Sequence, residues 1–130
     1  MILLDTHVVI WLARDHQRIS AKAHAAISKA RQTDAGLAIS SMTLLEIARL
    51  TSQARIRPFP DLETFLSEVE RRFIVLPITG RICVRAYQFP GSYPKDPADR
   101  VIGATALTEG LTLISADEAI KASGAVPTMW

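Results

Sequence analysis

Four carboxylic acids stand in comparable places along this sequence. Asp5 directly follows the apolar run Met1-Ile-Leu-Leu4, Glu46 comes soon after Leu37-Ala-Ile39, Asp99 precedes the run Leu111 to Ile114, and Asp117 lies just behind it. No Cys/His cluster has metal-ligand spacing, and Cys83 is the only cysteine. Three or four carboxylates without soft donors make a hard-oxygen site, which suits Mg²⁺ or Mn²⁺ rather than zinc. The chemistry that calls for such a site is phosphodiester hydrolysis. One or two divalent ions lower the pKa of a bound water, orient it in line with phosphorus and stabilise the leaving 3′ oxygen. Without the metal, clustered acids repel one another and repel a phosphate; with it, the sign of the site is inverted.

Each acid also has a local reading. Asp96-Pro97-Ala98-Asp99 is good helix-start chemistry, with Asp96 as N-cap, Pro97 at the first helical position and Asp99 as the acid at the third. Ser115-Ala-Asp117-Glu118 reads as a second capping box, with Ser115 as cap and Asp117 in the first turn, where the helix dipole favours negative charge. Capping alone would account for these acids. Glu46 resists that explanation, because Leu44, Leu45, Ile47 and Ala48 surround it on a helix that should pack against a sheet. A carboxylate there is costly unless paired or bound to metal. No base is placed by sequence to neutralise the four. Arg100 adjoins Asp99, but consecutive helical residues diverge. His7 reads as a helix-start residue rather than a general base.

The elements that must hold these acids follow from periodicity. Short apolar runs at Met1 to Leu4, Leu37 to Ile39, Phe73 to Leu76 and Leu111 to Ile114 predict strands, and Ala125-Val126 a last edge strand. Between them, helical spacing predicts His7 to about Ala13 with Thr6 as cap, Ser20 to Arg31, Thr43 to Thr51, and a helix opened by Asp61 with the stripe Leu62, Phe65, Leu66 and Val69. Further helices run from Thr79 to the breaker Phe89-Pro-Gly91, from Asp96 to a C-cap at Gly110, and from Ser115 to about Ala122. Ser52 to Pro60 reads as a connector. This alternation predicts a three-layer α/β/α domain over residues 1–130, with a central, mostly parallel sheet of four to five short strands. Ligands of such sheets bind beyond the carboxyl ends of the strands, where the acids fall.

Composition sets the outer bounds. The chain has 130 residues, 48% hydrophobic against 22% charged, enough for a core without disulfides or structural zinc. A lone thiol points to a reducing cytoplasm. The apolar start lacks a basic segment and is interrupted by Asp5 and His7, so neither a signal peptide nor a membrane span is expected. Fifteen basic residues against thirteen acidic ones give a net charge of +2, too even to announce nucleic acid. Setting aside the four candidate ligands leaves nine acids against the fifteen bases, a balance compatible with a nucleic-acid enzyme.

Leu3-Leu4-Asp5-Thr6-His7 with Trp11-Leu12, Ser40 with Leu45-Glu46-Ile47-Ala48, Asp96-Pro-Ala-Asp-Arg100-Val-Ile-Gly-Ala-Thr-Ala106, and Gly110-Leu-Thr-Leu-Ile-Ser-Ala-Asp117 together resemble the four motif blocks of PIN-domain proteins, most closely the VapC toxins of toxin-antitoxin pairs. The likeness covers essentially the whole chain. It implies a Mg²⁺- or Mn²⁺-dependent endoribonuclease that inhibits translation by cutting tRNA or another structured RNA, with Asp5, Glu46, Asp99 and Asp117 as catalytic metal ligands. It also implies that Thr6 and Ser115 orient carboxylates or water, with Asp96 mainly a cap beside the site. Departures are mild: Gly103 stands where Ala is more frequent and Ser115 where Thr is common. Such toxins pair with a VapB antitoxin and commonly form homodimers. The stretch Ile47 to Phe59 is a candidate antitoxin-facing surface or simply core, and Arg14, Arg18, Arg49, Arg55 and Arg57 are candidate contacts to RNA phosphates.

Other uses of a strand-end acid fit less well. A receiver domain needs acidic neighbours, a haloacid-dehalogenase-type phosphatase needs a second Asp where His7 stands, and a dinucleotide fold needs a glycine-rich turn in place of Asp-Thr-His. A PIN-like module that binds RNA or protein without cutting is the remaining alternative.

Overall fold

The computed structural model describes residues 1–130. Five strands, β1 (Ile2–Leu4), β2 (Leu37–Ser40), β3 (Ile74–Leu76), β4 (Thr112–Ile114) and β5 (Thr128–Met129), form one sheet in the order β3-β2-β1-β4-β5. Every neighbouring pair is parallel, so the sheet is wholly rather than mostly parallel. Seven helices connect and flank it: α1 (Thr6–Arg14), α2 (Ala21–Gln32), α3 (Ser41–Ser52), α4 (Leu62–Arg72), α5 (Gly80–Ala86), α6 (Pro97–Glu109) and α7 (Glu118–Ser123). No helix is long and apolar enough to cross a membrane.

Parallel pairing demands crossovers, and helices cover both faces of the central strands, with the edge strands β3 and β5 only partly buried. Alternation along each strand therefore divides two cores rather than a core and a wet face. Leu4, Ile39 and Ile114 point into a core with Val8 and Val9 of α1, Ile27 of α2, Ile47 and Leu50 of α3, and Phe65 and Val69 of α4. Leu3, Ala38 and Leu113 point the other way, toward Ile102 and Ala106 of α6, Ile120 of α7, and Tyr93. Burying each large side chain contributes roughly 1.5–3 kcal/mol. The result is the expected three layers.

Three local expectations are corrected. The last strand is β5, not Ala125-Val126. Val126 is instead a core anchor, and sheet pairing resumes where the Pro127 carbonyl accepts from the amide of Leu113 at 2.8 Å. The cap of α1 is Asp5 rather than Thr6, which is fully buried with its hydroxyl 3.1 Å from that of Thr43 on α3. The cap of α7 is Asp117 rather than Ser115. In both cases an aspartate one or two residues from the expected cap takes the role, because the expected cap's hydroxyl is engaged elsewhere. Elsewhere Ser20, Asp61, Thr79 and Asp96 cap α2, α4, α5 and α6 as expected, α3 starts two residues before the expected Thr43 with Ser40 as its cap, and Gly110 closes α6 in the left-handed region at φ 66°.

Strand order sets the functional edge. The chain runs outward from β1 through β2 to β3, then returns to the opposite side of β1 for β4 and β5. Connections leaving β1 and β4 therefore diverge and open a crevice at their carboxyl ends. Asp5 and Ser115 are the first residues past those two strands.

Candidate active site

Asp5 is 7% exposed and tied down at both oxygens. Oδ1 accepts the Thr6 amide at 2.8 Å, and Oδ2 accepts the Ser115 hydroxyl at 2.7 Å. Ser115 Oγ in turn accepts the Asp117 amide at 3.1 Å, so one hydroxyl links the acids behind β1 and β4. Burial raises the Asp5 carboxyl above its ordinary range; the bonds from Ser115 and Thr6 and the nearby His7 oppose that, and Asp117 adds to it.

Asp117 directs both of its capping bonds to one oxygen: Oδ1 accepts the amides of Ala119 at 2.9 Å and Ile120 at 3.1 Å. Oδ2 is left for another partner. Asp96 caps α6 through the Ala98 amide at 3.1 Å and is exposed. Asp99, in the first turn of α6, lies partly buried and makes no side-chain hydrogen bond within the protein. Its carboxyl is pushed up to about 7, first by burial and then by Asp5, Asp96, Glu46 and Asp117. Four acids, three of them from other elements, thus act on one.

Glu46 is 6% exposed on α3. One turn on, Arg49 Nη2 approaches its Oε2 at 3.5 Å, a long contact from a side chain still half in solvent. The expectation that no base is placed to neutralise the acids is corrected here: Arg49 was passed over although the i, i+3 spacing puts it on the same face. Arg100 does turn away, donating to the Ala86 carbonyl at 3.1 Å and lying over the Tyr87 ring.

All five acids, Asp5, Glu46, Asp96, Asp99 and Asp117, line a single open cleft of about 310 Å³ together with His7, Arg49 and Arg55. No three of them are drawn into a closed metal-binding group. An open arrangement suits Mg²⁺, which keeps several waters and takes one or two carboxylates from the protein. The donor set is all oxygen apart from His7 at the rim, and the raised Asp99 carboxyl records a crowding of negative charge that a divalent cation relieves. The residues present therefore fit such an ion. A larger cavity, about 480 Å³, is an apolar groove between α1 and α4 that contains one acid, Glu68. The chemistry belongs to the smaller one.

The candidate phosphate contacts divide. Arg49 faces the acids, Arg14, Arg18 and Arg57 line an adjoining cavity, and Arg55 lines both. Within the stretch Ile47 to Phe59, Ile47 and Leu50 are core, and the strongly exposed apolar residue is Phe59, at 82%.

A supporting residue escaped the sequence reading. Tyr93 is 1% exposed, stacked on Phe89 with ring centroids 4.0 Å apart, and its hydroxyl donates to the backbone carbonyl of Asp99 at 2.8 Å. It braces the turn of α6 that carries Asp99. Burial and the neighbouring acids push its phenol well above the ordinary range. The only signal was indirect: Gly103 on α6 has no side chain to occupy the space the phenol fills.

Ser115→Ala should lower stability by about 1–2 kcal/mol, the cost of leaving a buried carboxylate oxygen unpaired. It should also raise the Asp5 carboxyl further and so move the acid limb of any pH–activity profile to higher pH. Ser115→Thr keeps the hydroxyl and should leave both unchanged. Thermal melts and a pH profile of all three proteins check this.

The PIN domain family profile matches residues 2–125. Ribonuclease VapC22 of Mycobacterium tuberculosis is 33% identical over 120 residues, which is 92% of this chain and 89% of that protein. Among solved structures, VapBC2 from Rickettsia felis bound to a DNA fragment from its promoter is similar with a TM-score of 0.73 and 15% identity, covering 99% of this chain and 98% of the other. FitAcB from Neisseria gonorrhoeae is similar with a TM-score of 0.71 and 20% identity, over 100% and 97%. At those identities the two structures speak to the fold, and the residue-level likeness rests on the profile and the mycobacterial relative.

Proposed function

The chain belongs to the PIN-domain family and resembles its VapC members, and from that premise we propose that it is a divalent-metal-dependent endoribonuclease toxin, held in check by a VapB-type antitoxin. The observation that carries the catalytic part is the convergence of five acids on one cleft, with Asp99 raised to about 7 by the others and by burial. The relative at 33% identity is a ribonuclease by name, and the similar solved structures include VapBC complexes. The active unit spans residues 1–130 and works as a homodimer in the cytoplasm, with tRNA or another structured RNA as substrate.

Asp5, Glu46, Asp99 and Asp117 would hold one or two Mg²⁺ or Mn²⁺ ions, which supply Lewis acidity and a water of lowered pKa when bound. Asp5 serves with one protein donor already on each oxygen and lone pairs to spare, so it is oriented before anything binds. Asp117 contributes the oxygen that capping leaves free. Asp99 must lose the proton that its surroundings favour, so binding of a cation releases protons near neutral pH. Arg49 screens Glu46 in the resting protein. Ser115 acts through Asp5, which it positions by its hydroxyl; Thr6 reaches Asp5 by its backbone amide while its own hydroxyl meets Thr43, and Asp96 fixes the start of α6.

The test is cleavage of total cellular RNA with Mg²⁺ or Mn²⁺, alongside EDTA and Asp5→Asn controls. Fragments that depend on both metal and Asp5 support the reading. Fragments equal in every lane overturn it. RNA that is bound and never cut, equally by wild type and Asp5→Asn, makes the protein a binding module instead.

A further inference from the structure

Beside the acid cleft lies a second cavity, of about 400 Å³, with a different character. It is bounded by α1, by the single 3₁₀ turn His16–Arg18 that follows, and by the Arg55–Arg57 part of the connector after α3. Arg14, Arg18, Arg55 and Arg57 surround it, and none has a carboxylate within 4.0 Å, although Asp15 shares the lining. Four unpaired guanidinium groups in one place repel each other unless an anion joins them. At the shared wall with the acid cleft stands Trp11, half-buried, with the Arg18 guanidinium 5.0 Å from its ring centroid and Trp130 packed beside it at 5.8 Å. Trp11 and Arg55 line both cavities, so they are continuous.

We propose that this cavity seats one unpaired nucleotide of the RNA next to the bond that is cut, with Trp11 as the stacking face for its base and the four arginines as contacts for its phosphates. This deepens the ribonuclease reading and rests on it. An acidic cleft cannot draw a polyanion toward itself, and the attraction has to come from cations close by. Aromatic rings and guanidinium planes are what splayed bases stack on, and a paired base has no free face to offer. An acidic peptide would use the arginines without needing the indole. The consequence is a preference for loops and single strands, set beside the acids rather than by them.

The test uses the full chain in EDTA, so that cutting is blocked and the bare acids do not attract phosphate. Binding of a short fluorescent single-stranded oligoribonucleotide is followed by anisotropy across a salt series, against the same sequence as a duplex and with polyglutamate as competitor. The single strand should bind about ten-fold or more tighter than the duplex, and Trp11→Leu should remove about ten-fold while Trp11→Phe keeps most of it. The pair Arg18→Ala with Arg57→Ala should flatten the log–log salt slope by about 1.4, at about 0.7 per phosphate contact on a single strand. Melting curves of each variant separate loss of binding from loss of fold, since Trp11 also packs on the core while both arginines are exposed. Equal affinity for duplex and single strand overturns the proposal. So does displacement by polyglutamate with no effect of Trp11→Leu, which assigns the cavity to an acidic protein segment. If wild type cuts RNA and the arginine pair leaves KM unchanged, the cavity proposal fails and the nuclease reading stands. If the oligonucleotide binds as expected and no RNA is ever cut, the cavity stands and the nuclease reading fails.

Discussion

Asp99→Asn will slow RNA cleavage by about 10²- to 10³-fold, the scale on which removing one preorganised electrostatic group slows an enzyme, and will make the metal-free protein more stable rather than less. The second half follows from the direction of the shift. Asp99 has no hydrogen bond to lose, and its carboxyl stands at about 7 against an ordinary value of 3.8. A folded state that holds its proton more tightly than the unfolded chain is favoured at low pH. That advantage is lost progressively between about 4 and 7, as the folded carboxyl is forced to ionise among its neighbours. Asparagine is neutral throughout. The melting temperatures of wild type and variant should therefore agree near pH 4 and separate by several degrees at pH 8, with the variant higher. Added Mg²⁺ should raise the wild type at pH 8 and leave the variant nearly unmoved. Thermal melts at the two pH values, with and without Mg²⁺, measure this, and a variant less stable than wild type at pH 8 would show that Asp99 is structural. Asp5→Asn is the less clean substitution, because an amide cannot accept from both the Thr6 amide and the Ser115 hydroxyl as the carboxylate does.

Gly103→Ala should be destabilising, by up to about 2 kcal/mol net, although alanine is the better helix former. A Cβ at this position would stand 2.1 Å from the Tyr93 hydroxyl oxygen, 2.9 Å from the ring carbon that bears it and 3.2 Å from the Phe89 ring. The phenol has no room to retreat, since Tyr93 is 1% exposed and stacked against Phe89. Overpacking of this kind costs about 1–3 kcal/mol, more than the helix-propensity gain of about 1 kcal/mol. The displaced phenol also lets go of the Asp99 carbonyl, so the Mg²⁺ concentration needed for half-maximal cleavage should rise. Tyr93→Phe introduced on top of Gly103→Ala removes the closest clash and should recover part of the stability but none of the metal affinity. A double-mutant cycle on both readouts separates the two effects.

That pair also shows where sequence reading runs short. Gly103 stood out from the family pattern because Ala is more frequent there, but nothing in the linear order says that a tyrosine ten residues earlier folds back over it. The acids were legible one by one because strand ends and helix starts leave strong local marks, and the strand order carries those marks to a common edge. Capping proved compatible with a place in the site. Asp5 and Asp117 turned out to be the caps themselves, using some of their oxygen lone pairs on helix amides and keeping others for the cleft. The hydroxyls of Thr6 and Ser115 were misread as caps because their true partners, Thr43 and Asp5, are distant in sequence. The last strand was misplaced for a related reason: Val126 is as apolar as a strand residue should be, and its burial comes from packing rather than pairing. The arginines of the connector were legible as cations, while their gathering around Trp11 depends on how a loop of mixed composition returns toward α1.

The hydrogen bond from Ser115 to Asp5 joins residues 110 positions apart behind the cleft. Because β4 docks directly on β1, Ile2 at the start of the first strand has no partner on that side until Thr112 has been made. A growing chain thus holds Asp5 without its partners until Ser115 and Asp117 have been added, and no nascent stretch that ends before Asp117 contains all four acids. A nascent chain laid out in this order carries an incomplete acid cleft until β4 has emerged and found β1.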